Sequence, residues 1–299
     1  MKPIFLSGYS DDYAKDCERL LVTLLRGLGP LAKSVYLIGG LTPRFIIKKR
    51  PPDVPRHAGT QDVDVVLDLQ ILTDIEAYHT LEDNLKRMGF TRGFNNKGIP
   101  VSWRWTIKTD HGATLVLELL ADDPERGGGK VQELKAEGNV SALNIPHSSM
   151  VVDFHEKVEV TAKLFGGNGS ASVIVQHADI VSFTCLKALA FADRAERKDA
   201  HDLIYCLQHF DGGIEVAAAH FQRGLEGAHA DVIRQTQQLL RKHFLDYDGV
   251  EGYLRDGPVA VARFEGDEDE ETEEAKERRL YRQREVADVV ERLLASIGA

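Results

Sequence analysis

Residues 35–68 read VYLIGGLTPRFIIKKRPPDVPRHAGTQDVDVVLD, and two features of this stretch decide the fold. The apolar run Val35–Ile38 ends at Gly39-Gly40 and passes into Thr42-Pro43, a good N-cap followed by a good first helical residue. The pattern is strand, tight turn, helix. After a polar, proline-rich loop, Asp62-Val63-Asp64-Val65-Val66-Leu67 sets two carboxylates at i and i+2 in a β-branched strand. Side chains alternate across a strand, so Asp62 and Asp64 share one face while Val63 and Val65 share the other.

Two like charges that close raise each other's pKa unless a cation sits between them, and a divalent metal with oxygen ligands is the usual solution. A glycine pair at the mouth of a helix lets the backbone come close to a phosphate. Each feature alone has an ordinary reading, a plain turn and a solvated strand face. In this order they point to metal-assisted chemistry on a nucleoside triphosphate.

The arrangement resembles the nucleotidyltransferase superfamily typified by polymerase β: an apolar strand, Gly39-Gly40, a short helix, then Asp62-x-Asp64 in the next strand. A third acid in a later strand completes that pattern, and Glu118 in Leu115-Val116-Leu117-Glu118-Leu119-Leu120 matches it. The resemblance implies that Asp62, Asp64 and Glu118 hold Mg²⁺ or Mn²⁺ against an NTP. Glu118 would bind the metal nearest the attacking hydroxyl or act as its base, and Gly39, Gly40 and Thr60 would cradle phosphates. The family usually has Arg-x-Ser or Arg-x-Thr ahead of the acid pair; here Thr60 holds the hydroxyl place, but Ala58 stands where the arginine would be.

The totals bound the rest. With 299 residues and 43% apolar content the chain can bury one large core or two ordinary ones. No apolar run is long enough for a membrane span, and the first residues lack a signal-peptide pattern, so a cytoplasmic protein with no membrane partner is expected. Cys17, Cys185 and Cys206 are scattered and odd in number, which suits reduced core thiols rather than a disulfide frame. The net charge of -10 is misleading, because eight acids and no bases lie in residues 265–274; without them the charge is -2. Residues 44–56 hold Arg44, Lys48, Lys49, Arg50 and Arg56 against Asp53 alone, a basic segment suited to guiding phosphates or to lying in solvent.

Along the chain, Ser10 is a suitable cap for a helix over about 10–28 with Ala14, Cys17, Leu21, Leu24 and Leu28 as its apolar stripe. A second helix over about 73–88 is closed by Gly89. Residues 101–107 and 114–120 read as a hairpin, its second arm expected antiparallel beside the Asp62 strand. Residues 121–138 read as a loop, and a further hairpin is expected around Gly166-Gly167-Asn168-Gly169. Later signals are helical over 179–195, 197–210, 214–225, 231–244 and 273–297, with 249–266 irregular. The acidic run reads as a solvating segment, or as a nucleic-acid mimic that screens the basic loop.

The second informative stretch is LKALAFADRAERKDAHDLIYCL, residues 186–207. Lys187 and Arg194 lie seven apart, near one helical face, and Asp199 and Asp202 lie three apart on the next segment. An ordinary interhelix salt-bridge network would look the same. The order of Lys187, Ala188-Leu189, Arg194, Asp199 and Asp202 resembles the C-terminal signature of AbiEii-type nucleotidyltransferases, toxins of bacterial toxin-antitoxin and abortive-infection systems. That resemblance implies that Lys187 and Arg194 serve the nucleotide, Lys187 touching the triphosphate and neutralising charge as pyrophosphate leaves, while Asp199 and Asp202 support the site.

The expectation is therefore an α+β protein: a mixed-sheet nucleotidyltransferase core over 1–177 and a helical domain over 178–299. It would move a nucleoside monophosphate onto an acceptor hydroxyl, tRNA or another RNA first and a protein second, in a phage-defence setting with a cognate antitoxin. Transfer to an aminoglycoside-like small molecule and a catalytically silent binding module of the same fold are the competing readings.

Overall fold

The computed structural model describes residues 3–68, 75–95, 97–123, 128–133, 140–266 and 272–298. The protein is α+β with a mixed sheet, and it divides into two compact units. One comprises Asp11–Thr42 and Gly59–Asp179; the other comprises Met1–Ser10, Pro43–Ala58 and Ile180–Ala299.

The first unit is built on a nine-stranded sheet. Its strands are β1 (Val35–Ile38), β2 (Asp62–Leu67), β3 (Thr91–Phe94), β4 (Pro100–Lys108), β5 (Thr114–Ala121), β6 (Val131–Glu133), β7 (Ser141–Asn144), β8 (His155–Lys163) and β9 (Ser170–Ala178). The main path runs β3-β4-β5-β2-β1-β9-β8, with β7 joined to the end of β5 and β6 paired to β7. All four residues of β1 are buried, as a central strand covered on both faces requires. Helix α1 (Asp11–Leu28) lies against β8 and β9 and buries the whole expected stripe, together with Leu20, Val22 and Leu25. Helix α3 (Ile75–Arg87) follows β2, with Leu81 and Leu85 buried. The expected start of that helix at Thr73-Asp74 lies outside the described residues.

One expectation about the sheet is corrected. β5 pairs with β2 in parallel, not antiparallel. The cause is β3, which the sequence reading passed over: an extra strand between α3 and β4 reverses the direction of both arms of the β4–β5 hairpin. Thr91-Arg92-Gly93-Phe94 is short and broken by a glycine, so it carries almost no alternation signal. β6 likewise lies in a segment read as loop, and three residues are too few to show a period. Residues 124–127 and 134–139 of that segment, including Gly127 of the glycine triplet, lie outside the described residues.

The second unit is helical: α2 (Pro43–Ile46), α5 (Ile180–Arg194), α6 (Arg197–His209), α7 (Ile214–Gly224), α8 (Ala230–Phe244), α9 (Asp256–Glu265) and α10 (Glu273–Ile297). α4 (Met150–Asp153) belongs to the sheet unit. α6 packs on α5 and α9, and α10 packs on α7 and α9. α10 starts at Thr272, whose hydroxyl accepts from the Ala275 amide at 3.2 Å, and stops at Gly298 in the left-handed region. α9 falls where irregular chain was expected. Gly257-Pro258 looks like a breaker in sequence, but Pro258 sits in the first turn, where its missing N–H is not needed.

Candidate functional site

In the sheet unit the alternation of β2 works as the sequence requires: Val63 and Val65 are fully buried, while Asp62 and Asp64 lie half-buried on the opposite face. Register then selects their neighbours. Asp64 is the partner of Ile38 on β1, one residue before the glycine pair, and of Glu118 on β5. Strand neighbours at one level are about 4.8 Å apart, so Asp64 and Glu118 stand side by side.

Gly39 has φ +74, a conformation that favours glycine, and a Cβ built on it would meet Asp64 Oδ2 at 2.1 Å. The Asp64 carboxylate thus occupies the place where any other residue's side chain would begin. Gly40 is buried in the 3-10 turn Gly39–Leu41. The adjoining Thr42 hydroxyl is fully buried without a hydrogen-bond partner. Such an orphan costs about 1–3 kcal/mol. It leaves a polar group uncommitted beside the turn.

Thr60 donates its hydroxyl to Asp62 Oδ1 at 2.6 Å, and the Cys17 thiol faces the Thr60 carbonyl at 3.6 Å. In this arrangement the Thr60 hydroxyl orients Asp62 rather than pointing to a phosphate. Glu118 is similarly engaged. Arg104, its partner on β4, donates from Nε at 2.9 Å and from the terminal nitrogen at 2.6 Å to the same oxygen, Oε1. A further N–H of Arg104 donates to the Phe94 carbonyl, and the guanidinium lies 4.7 Å from the Trp103 ring centroid. Gly93 makes room for this arginine, since a Cβ there would stand 2.8 Å from Arg104 Cγ. Arg104 is the sheet-unit residue that sequence reasoning missed. Its signal was its place in the hairpin arm opposite Glu118, which needs the register to be read.

The donor set of Asp62 and Asp64 is hard oxygen and suits Mg²⁺. Glu118 keeps Oε2 outside the arginine bridge but does not join the other two acids in a tight triad. Among the described residues the group of three whose ligand atoms all lie within 4.8 Å of one another is His57, His201 and Asp202, in the helical unit.

That unit brings together the residues of the 186–207 stretch. Lys187 Nζ donates to Asp199 Oδ1 at 2.9 Å and to Asp202 Oδ2 at 2.7 Å. Arg194 grips Asp199 with Nε at 2.7 Å and a second nitrogen at 2.9 Å. Lys198, absent from the sequence reading although it stands i−4 from Asp202, donates to both oxygens of that acid at 2.9 and 2.8 Å. His57, from the basic loop, lies 2.8 Å from Asp202 Oδ1 through Nε2.

Burial alone would lower the pKa of the Lys187 ammonium, but Asp199 and Asp202 outweigh it and hold that pKa above its ordinary value. Burial would raise Asp202, yet Lys187, Lys198 and His57 keep it well below the usual carboxylate range. His57 is pushed down to about 4 by burial, against the pull of Asp202, so its imidazole is neutral at pH 7.

No protein-family model matches the chain, and no curated protein matches it significantly. Among the described residues no helix is long and apolar enough to cross a membrane.

Proposed function

We propose that this protein is a metal-dependent nucleotidyltransferase that moves a nucleoside monophosphate from an NTP to an acceptor hydroxyl. The observation that carries the reading is the contact of Gly39 with Asp64. A left-handed glycine whose missing side chain is filled by an acid from the next strand does nothing for core packing, and it sets a backbone turn against a carboxylate pair. That is the juxtaposition a triphosphate and its metal need.

Asp62 and Asp64 are the residues that would hold Mg²⁺ or Mn²⁺. When bound, the cation would neutralise triphosphate charge and orient the reacting phosphorus for in-line attack. The chain's own part is to fix those acids: Thr60 orients Asp62, and Gly39 leaves room for Asp64. Gly39, Gly40 and the neighbouring Thr42 offer polar groups to phosphate. Glu118 acts beside Asp64 through Oε2, with Arg104 setting its position. The roles of Lys187 and Arg194 toward the nucleotide, with Asp199 and Asp202 behind them, rest on the family resemblance alone. So do the acceptor, tRNA or another RNA ahead of protein, and a toxin-like role with a cognate antitoxin.

A catalytically silent binding module of the same fold is the competing reading, and the bridge between Arg104 and Glu118 favours it. A cation already held by the third acid reduces that acid's call on a metal. The deciding experiment incubates each of four labelled NTPs with Mg²⁺ and total RNA, comparing wild type with Asp64→Asn. Label on RNA that vanishes in the variant establishes transfer and identifies base and acceptor together; label on the protein moves the acceptor to protein. No label on RNA or protein, together with no calorimetric NTP binding in Mg²⁺, would sink the enzyme reading.

A further inference from the structure

Asp202 lies at the centre of the ionic cluster in the helical unit, and its position is reached by two imidazoles. His57 comes from the segment Pro43–Ala58, and His201 from α6 directly before Asp202. The two rings stack with centroids 5.6 Å apart and planes 24° apart. Both side chains are nearly inaccessible, with 4% and 5% of their area exposed. One potential ligand atom from each of His57, His201 and Asp202 lies within 4.8 Å of the others.

The orientation of the His201 ring is set by its surroundings. Its Nδ1 lies 2.9 Å from Glu265 Oε1, and Glu265 is itself gripped by Arg282 at 2.6 and 3.1 Å. A carboxylate can only accept, so Nδ1 carries a proton, and in the tautomer with that single proton Nε2 carries a lone pair. That Nε2 is buried and has no hydrogen-bond partner. A buried acceptor facing no donor costs about 1–3 kcal/mol. A histidine with one nitrogen held by a carboxylate while the other stands bare is the arrangement in which metal-bound imidazoles are oriented.

We propose that His57, His201 and Asp202 form a binding site for a borderline divalent metal ion, with Zn²⁺ the best-matched, separate from the carboxylate pair on the sheet. Two imidazole nitrogens and one carboxylate oxygen are a three-ligand set that zinc takes in tetrahedral coordination, with a fourth position left for water or a substrate atom. Bonds of about 2.1 Å put tetrahedral ligands roughly 3.4 Å apart, so small side-chain movements close the cluster. His57 changes tautomer on binding: without metal its Nε2–H donates to Asp202, and ligation through Nε2 requires that proton to pass to Nδ1, the ring staying neutral.

The competitor for the site is Lys198, whose ammonium is 2.9 Å from Asp202 Oδ1. Its Nζ also lies 5.5 Å from the Tyr9 ring centroid. Lys187 is on the other oxygen, Oδ2, and can stay there. Metal entry at Oδ1 therefore needs Lys198 to withdraw, and Asp202 passes from pairing with an ammonium to pairing with a dication.

The test is made on the full chain, stripped with chelator and then titrated with Zn²⁺ by calorimetry, with metal content, the Co²⁺ absorption spectrum and the melting temperature read alongside. The expected result is one Zn²⁺ per chain, d–d bands of four-coordinate Co²⁺, and a melting temperature that rises with Zn²⁺. His201→Gln and His57→Gln, each checked for a native circular dichroism spectrum, weaken binding at least tenfold. Lys198→Met removes the competing cation and tightens it. Asp64→Asn leaves Zn²⁺ binding unchanged, which separates this site from any metal on the sheet. Absence of stoichiometric Zn²⁺ with an unmoved melting temperature in the wild type overturns the proposal, and so does wild-type affinity in folded His201→Gln.

Discussion

Gly39 is the residue at which conformation and chemistry coincide, and so the one where a single methyl group has the largest expected effect. Gly39→Ala forces both a strained φ and a contact of 2.1 Å with Asp64 Oδ2. The expected outcome is a loss of about 1–3 kcal/mol in denaturant unfolding together with loss of NTP-dependent label transfer. Wild-type stability in that variant would mean that the turn does not press on the acid. Arg104→Gln probes the neighbouring pair. If Glu118 acts beside Asp64, removing its counter-ion tightens Mg²⁺ binding several-fold in a calorimetric titration, whereas Glu118→Gln weakens it.

Tyr36 on β1 provides a pH test at the same scale. Its phenol pKa is raised, first by burial and then by Asp68 and Asp153, against a hydrogen bond from Gln176. The folded state therefore keeps the proton longer than the unfolded chain does. Its contribution to stability is fully present below the ordinary tyrosine pKa of about 10 and is lost as pH rises above that value. Unfolding midpoints measured from pH 9 upward should fall more steeply in wild type than in Tyr36→Phe; parallel curves would refute the assignment.

Among the elements, α5 and α6 are joined by buried charge. Asp202→Ala would leave the ammoniums of Lys187 and Lys198 without one of their anions. Removing one partner of a buried pair costs about 3–5 kcal/mol, so a large fall in melting temperature is expected, against a small one for Asp231→Ala, whose partner Arg234 is exposed. The contrast also shows what the sequence made legible. Asp199, Asp202, Lys187 and Arg194 were readable because helical spacing is local, β1 because an apolar run ends at a glycine pair, and β2 because apolar and acidic residues alternate within a few positions. His57 was not, because it meets Asp202 across 145 positions and lies in a loop without a period. Arg104 stayed hidden for a related reason: pairing with Glu118 depends on register, and register depended on β3, whose four residues carry no pattern of their own. The parallel course of β5 was lost with it.

For the molecule as a whole, charge is unevenly distributed, and the distribution matters more than the sum. Deleting residues 267–271 removes five acids and changes the net charge from -10 to -5. If the acidic run screens the basic segment 44–56, the shortened protein binds RNA more tightly at low ionic strength, and the difference shrinks as salt rises. Equal RNA affinity at low salt would reduce the run to a solubilising segment.

The segment Pro43–Ala58 belongs to the helical unit although it is enclosed in sequence by β1 and β2 of the sheet unit. Its partners are made late: the Tyr205 hydroxyl that donates to the Pro55 carbonyl at 2.8 Å, and Asp202, which meets His57. On the ribosome this basic stretch emerges early and waits for more than a hundred residues, on the order of ten seconds at usual elongation rates, before the helices that hold it exist. During that interval five cations are displayed on an unfinished chain beside ribosomal and messenger RNA. The order of synthesis, rather than the finished architecture, thus sets how long this charge stands without Asp202 and Tyr205.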